Sequence, residues 1–149
     1  MEEAAAGVRA RVQQSFERQG LMEHLGARIS YIGVGEVCIE LPSRPEVTQQ
    51  HGYFHAGATS SIADSAGGYA AFTLFDEGTS VLTVEFKINL LAPARGPRFR
   101  FEGRVAKAGR TISVVDGRAL QCDADGSHEK LVATMSATVM TVAGRGIQH

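Results

Sequence analysis

Residues 49–75 read QQHGYFHAGATSSIADSAGGYAAFTLF. Between His55 and Asp76, Asp64 is the only Asp, Glu, Lys, Arg or His; the rest is Ala, Gly, Ser, Thr and large apolar residues. A helix without a charged face is normally buried on all sides, so the pattern predicts a central helix over residues 58–75, lying inside a sheet. Gly67 and Gly68 each cost such a helix about 1 kcal/mol relative to Ala, which predicts that another backbone passes close by.

A carboxylate in an apolar helix is expensive to bury unless it is paired, so Asp64 needs a partner or a purpose. The structural answer is Ser60 or Ser61, one turn earlier, as a hydrogen-bond partner. The functional answer starts from the preceding loop, His51-Gly52-Tyr53-Phe54-His55-Ala56-Gly57, whose glycines let the chain approach a ligand and turn into the helix. The N–H groups of Ala56 and Gly57 are then expected to point outward. Donors at a helix N-terminus can hold the oxygen of a polarised carbonyl, with Asp64 as nucleophile or general base. Seven or eight helical residues separate acid and amides, about 10–12 Å at 1.5 Å per residue, too far for one carbonyl group to touch both. Two such helices antiparallel across a twofold axis bring the Asp64 of one to the amides of the other, which predicts a site shared between protomers.

The sequence His55-Ala56-Gly57, then Asp64 and Gly68, followed by the strand Thr83-Val84-Glu85-Phe86-Lys87-Ile88-Asn89-Leu90-Leu91-Ala92-Pro93, resembles the hotdog-fold acyl-CoA thioesterases of the phenylacetate-degradation (PaaI-like) type. The likeness runs over residues 21–142. It implies an α+β fold in which an antiparallel sheet wraps around a long helix, and hydrolysis of an acyl-CoA thioester. The family's H-G-G loop falls on His55, Ala56 and Gly57, its helix acid on Asp64, a polar residue before the loop (often Asn) on Gln49, and a water-positioning Ser or Thr on Thr83. Ala56 replaces the first glycine of the pair but keeps the backbone N–H that the role requires. Gln49 keeps an amide and adds a methylene. The resemblance also implies no metal and no cofactor apart from the coenzyme A of the substrate, and a homodimer assembling into a homotetramer.

The rest of the chain fits this plan. Residues 3–19 read as an amphipathic helix with Val8, Val12 and Phe16 at four-residue spacing and Gly20 as its stop, so residues 1–20 form an N-terminal helix of the same domain. A short helical turn is expected at 21–25. Residues 27–33 and 36–41 alternate in period two around Gly33-Val34-Gly35, a hairpin. Pro42 and Pro45 end the second strand. In 83–91, Val84, Phe86, Ile88 and Leu90 are expected to cover the helix, with Thr83, Glu85, Lys87 and Asn89 on the other face. Two further hairpins, at Ala108-Gly109 and 123–127, lead to a last strand over 131–142. A single domain over 21–143 followed by a frayed end at 144–149 results. Strands joined by hairpins pair antiparallel, and such a sheet covers the helix with one face.

With 149 residues, 44% apolar and a formal net charge of −1, the chain has enough apolar content for a core and no basic excess for nucleic acid. Its start, MEEAAAGVRARVQQSF, lacks the apolar run of a secretory signal, and no segment reaches the roughly 20 apolar residues needed to span a bilayer. Cys38 and Cys122 form no CxxC pair and read as reduced, half-buried residues of a cytoplasmic protein. His51 and His55 are four apart, but Gly52 and the loop argue against a shared metal. His55 is expected to fix the loop rather than act as base. Tyr53 and Phe54 are loop anchors that can also line the mouth of a pocket. Among the basic residues at two turns, the Arg95-Arg98-Arg100-Arg104 group with Lys107 and Arg110, the last two are the choice for coenzyme A phosphates. Two other functions compete: a hotdog enoyl-CoA hydratase or dehydratase using His51 or His55 with Asp64, and a non-catalytic acyl-CoA-binding module.

Overall fold

The computed structural model describes residues 2–143 and 149. In chain order it contains α1 (Ala6–Glu17), α2 (Gly20–Leu25), β1 (Arg28–Gly33), β2 (Glu36–Pro42), a 3-10 turn at Pro45–Val47, α3 (Ala56–Phe72), β3 (Thr79–Leu90), β4 (Arg98–Lys107), β5 (Ile112–Cys122) and β6 (Lys130–Ala143). The described strands form one antiparallel sheet in the order β1-β2-β4-β5-β6-β3. The chain leaves β2 at one side, crosses the inner face as α3 and returns as β3 on the opposite edge. The sheet therefore curls around α3, which packs against every strand from β2 to β6.

Helix α3 starts two residues earlier and stops three residues earlier than the expected 58–75. At its start the His55 Nδ1 accepts the Gly57 N–H at 2.7 Å, an N-cap that a Ser or Asp more often supplies. At its end Thr73 Oγ1 donates to Ala70 O and accepts the Gly35 N–H. The Arg11 guanidinium donates to Phe72 O and Phe75 O, so the last carbonyls find partners and the helix closes. Ile62, Ala66, Ala70 and Ala71 are fully buried. Burial on all sides does not hold, however. Gly57 is exposed, and Ser61, Asp64, Ser65 and Gly68 are half-buried, forming one stripe at three- and four-residue spacing. Its members are small and mostly uncharged, so by composition the stripe looks like core.

The close backbone approach is real, but its glycine is on the sheet. A Cβ at Gly103 of β4 would sit 2.2 Å from Ala66 O and 2.5 Å from Gly67 N. At Gly67 a Cβ would meet Val115 Cγ2 at 2.8 Å, whereas at Gly68 the nearest atom is 4.0 Å away. Only the first of the two helical glycines is demanded by packing.

The expected N-terminal helix is α1, shorter than 3–19 at both ends, and the helical turn expected at 21–25 is α2. Arg18 caps α1, Gly20 opens α2, and the left-handed stop is Gly26 at φ 75°. Gly20 was the expected stop, but Gln19 bends the chain there with extended backbone. Val12 and Phe16 are buried against the domain as their spacing predicts. Of the expected frayed end, 144–148 lie outside the described residues. His149 is packed, its ring 4.6 Å from that of Phe72, and its Nδ1 accepts the Val81 N–H.

Strand β3 departs most from expectation. It starts at Thr79, and its pairing with β6 slips by one residue between Thr83 and Glu85: Thr83 faces Val139, and Glu85 faces Thr138. Val84 is the extra residue of this bulge. Directly paired residues share a face, so Thr83 joins Phe86, Ile88 and Leu90 on the side where Val139, Ala137, Met135 and Ala133 are buried. Thr83 thus points toward the helix, opposite to strict alternation. Nor do the apolar residues cover α3: Leu82, Val84, Phe86 and Leu90 are 44–56% exposed. They sit on an edge strand whose outer side pairs with no other strand among the described residues.

Candidate active site

Asp64 faces β3, not the serines before it. Thr83 Oγ1 donates to Asp64 Oδ1 at 2.7 Å. Ser60 and Ser61 instead donate to Ala56 O and Gly57 O one turn back, as helical hydroxyls do. The carboxyl is half-buried. That burial raises its pKa above the ordinary value, and the Thr83 hydrogen bond pulls it partly back. A desolvated carboxylate holding one hydroxyl is suited to accept a proton or attack a carbonyl carbon.

Asp64 and Thr83 line a small cavity of about 130 Å³ together with Gln19, Ser65 and Tyr69. Gln19 Nε2 donates to the Tyr69 hydroxyl at 2.8 Å, Ser65 Oγ donates to Gln19 Oε1 at 3.3 Å, and Ser15 Oγ lies 3.0 Å from the same Tyr69 oxygen. None of these was singled out from sequence. The available signal was Tyr69 itself, because a hydroxyl in an otherwise apolar helix must find a partner.

A second, larger cavity of about 400 Å³ opens at the helix N-terminus, lined by Gln49, Tyr53, Phe54 and Ala56 together with Leu90 and Leu91. Gln49 Oε1 accepts the N–H groups of His51 and Tyr53 at 2.6 and 3.2 Å, which shapes the loop and leaves the amide nitrogen as the half the loop does not use. Phe54 is buried and stacks on Phe99 at 4.3 Å, the anchor expected of it. Tyr53 carries the Arg95 guanidinium over its ring at 4.6 Å.

The two loop amides are not equivalent. Gly57 was expected to offer a free N–H, but the His55 ring takes it. The Ala56 N–H donates to no atom of the described residues, and Ala56 is exposed. Within one chain the His55 ring holds the Gly57 N–H, His51 is an exposed loop residue, and neither ring hydrogen-bonds Asp64 among the described residues.

Of the arginines, Arg98 is paired with Glu40, Arg100 with Glu102 and Glu129, and Arg104 with Glu36. Lys107 and Arg110 are exposed on the β4–β5 hairpin, with no ion pair among the described residues. Val105 on that hairpin bonds Gly35, which bonds Thr73, so the tip lies at the C-terminal end of α3, away from Gln49 and Ala56. Within one chain they do not join the loop cavity. The cation there is Arg95. Both cysteines are buried and free, and burial pushes the Cys38 thiol up to about 11. No helix of the described residues is long and apolar enough to cross a membrane.

Comparison with known proteins agrees with this fold. The thioesterase superfamily model matches residues 51–123, from the loop through β5. A thioesterase family protein from Silicibacter pomeroyi is 48% identical and superposes with a TM-score of 0.89, covering 93% of this chain and 100% of that one. The proofreading thioesterase EntH of Klebsiella pneumoniae is 26% identical over 107 residues, 68% of this chain and 78% of its own. The E. coli PaaI protein from the phenylacetic acid degradation operon, 19% identical, shares the fold with a TM-score of 0.79 over 92% of this chain and 94% of its own. A sheet curled around a long helix is the shape shared with these structures, and at 48% identity over the full length of one of them the chain belongs to the thioesterase superfamily and is a hotdog-fold thioester hydrolase.

Proposed function

We propose that the protein hydrolyses acyl-CoA thioesters at sites shared by two protomers. The observation that carries this reading is the separation along α3 of an unused N–H at Ala56 from a half-buried, Thr83-bonded carboxyl at Asp64. Eight residues at 1.5 Å set them about 12 Å apart, whereas a reacting carbonyl needs both within about 3 Å. A second copy supplies the missing half. The unpaired β3 edge, with its exposed Leu82, Val84, Phe86 and Leu90, favours edge-to-edge pairing of two sheets, since a long apolar edge is otherwise an aggregation hazard. Two such dimers associate as a homotetramer.

In this mechanism the Ala56 N–H of one protomer binds the thioester oxygen, assisted by the Gln49 amide nitrogen. Gly57 stays with His55 and shapes the turn. Asp64 of the other protomer either takes a proton from water as the water attacks, or attacks the carbonyl carbon itself to form an anhydride that water then opens. The C–S bond breaks, the thiolate takes a proton, and free acid and coenzyme A leave. Thr83 orients the carboxylate and the water. Arg95 on Tyr53 at the loop cavity, with Lys107 and Arg110 from a neighbouring chain, supplies cations for the phosphates of coenzyme A.

Thiol release from a panel of acyl-CoA substrates tests the reading, with Asp64→Asn as control. The expected result is turnover by the natural protein and loss of most of it in the variant. Near-normal hydrolysis by Asp64→Asn would overturn the assignment. One turnover in 18O-labelled water identifies direct attack by Asp64 when the label appears in the Asp64 carboxyl and the acid product is unlabelled, the result of water opening the anhydride at the Asp64 carbonyl.

A further inference from the structure

The cavity at Asp64 has a wall that the hydrolytic step does not use. Gln19, at the junction of α1 and α2, reaches it from outside the sheet and is held at both ends of its carboxamide by Tyr69 and Ser65. Tyr69 is 2% exposed and is itself held by Ser15, so the Gln19 group is fixed in orientation by a buried partner. A carboxamide offers two N–H donors and an oxygen with two lone pairs. One donor and one lone pair are occupied here, leaving one of each for whatever enters the cavity. An aliphatic chain pressed against them would leave both unpaired, whereas a hydroxyl can satisfy either.

Size points the same way. The cavity of about 130 Å³ is close in volume to an apolar cavity known to admit a single benzene molecule, so a short acyl group is enough to fill it. We propose that Gln19 is a specificity-determining residue, and that the acyl groups taken beside Asp64 are short and carry a hydroxyl. The proposal rests on the acyl-CoA reading above and adds to it which acyl group is preferred and which residue chooses it.

The test compares kcat/KM for 3-hydroxybutyryl-CoA, butyryl-CoA and octanoyl-CoA, by thiol release, in the natural protein, Gln19→Leu and Ser65→Ala. The natural protein should favour the hydroxylated substrate over butyryl-CoA by about five- to tenfold, the worth of one net hydrogen bond, and should use octanoyl-CoA least. Gln19→Leu should bring the hydroxybutyryl-to-butyryl ratio to one or below. Ser65→Ala, which leaves the Gln19 bond to Tyr69 in place and so guards against a folding defect, should lower the ratio part of the way. An unchanged ratio in both variants overturns the proposal, as does a natural preference for octanoyl-CoA. Thiol release from other acyl-CoAs of the panel but from none of these three overturns this inference and leaves the acyl-CoA reading standing, whereas release from no member of the panel overturns both.

Discussion

The proposed sharing of the site between protomers leads to a prediction that arithmetic can check. Ala56→Pro removes a single hydrogen-bond donor with little else disturbed. Position 56 is the first residue of α3, where Pro is at home, and His55 at φ −66°, ψ 134° already has the conformation that a residue before Pro prefers. The lost N–H bonds nothing within the described chain, so the fold gives up no internal contact. Loss of one oxyanion donor lowers kcat about 10²–10³-fold, and Asp64→Asn removes a general base or nucleophile for a loss of about 10²–10⁴-fold. Each variant alone is therefore nearly silent. Co-expressed in equal amounts, the two chains pair at random and half of the dimers are mixed. In a mixed dimer one site combines the intact Asp64 of one chain with the intact Ala56 of the other, while the second site carries both lesions. Half the dimers with one working site of two give about a quarter of the natural activity, at least tenfold above either variant by itself. Thiol release from the mixed preparation is the assay. Recovery no greater than the mean of the two single variants would refute the sharing of the site and return acid and amide to the same chain.

Other expectations concern stability, pH and assembly. Gly103→Ala drives a methyl into the Ala66–Gly67 backbone, so it should cost about 1–3 kcal/mol and lower Tm by several degrees, measured by thermal melting. Asp64 has its folded pKa above its unfolded value, so its burial weakens the fold increasingly as pH rises through that folded pKa and is without penalty below the ordinary value of 3.8. Asp64→Asn should accordingly melt above the natural protein at pH 7–8, the gap closing near pH 4. Thr83→Val removes the hydrogen bond that favours the charged carboxyl, which should raise the Asp64 pKa further and move the acid limb of the kcat/KM profile toward higher pH. Phe86→Lys places like charges across a paired β3 edge and should shift the elution volume in size-exclusion chromatography to that of a smaller species.

Much of this was legible because periodicity and chemistry agree. The alternation of Val37, Ile39 and Leu41, and of Phe99 and Phe101, gave β2 and β4 their inner faces, and all five residues are buried. Asp64 stood out because it was alone among neutral residues. What stayed hidden depends on contacts between distant segments. Nothing local distinguishes Gly103, whose role exists only because α3 lies across β4. The bulge at Val84 was invisible because unbroken alternation from Leu82 to Leu90 already puts every apolar residue on one face, and only pairing with the distant β6 shifts the phase. The capture of the Gly57 N–H by His55 depends on a side-chain rotamer, and Gln19 reaches Asp64 from 45 positions away in the chain.

The single added residue in β3 joins two jobs that separate strands could have performed. Ahead of it, Thr83 attends the reacting acid; behind it, the run from Phe86 to Leu90 is left for a neighbour to cover. Chemistry and association are therefore written into twelve consecutive residues of one ribbon. If the proposed association through β3 holds, separating the subunits loosens the segment that holds Asp64, so activity per chain should fall on dilution at concentrations where circular dichroism still shows intact helices.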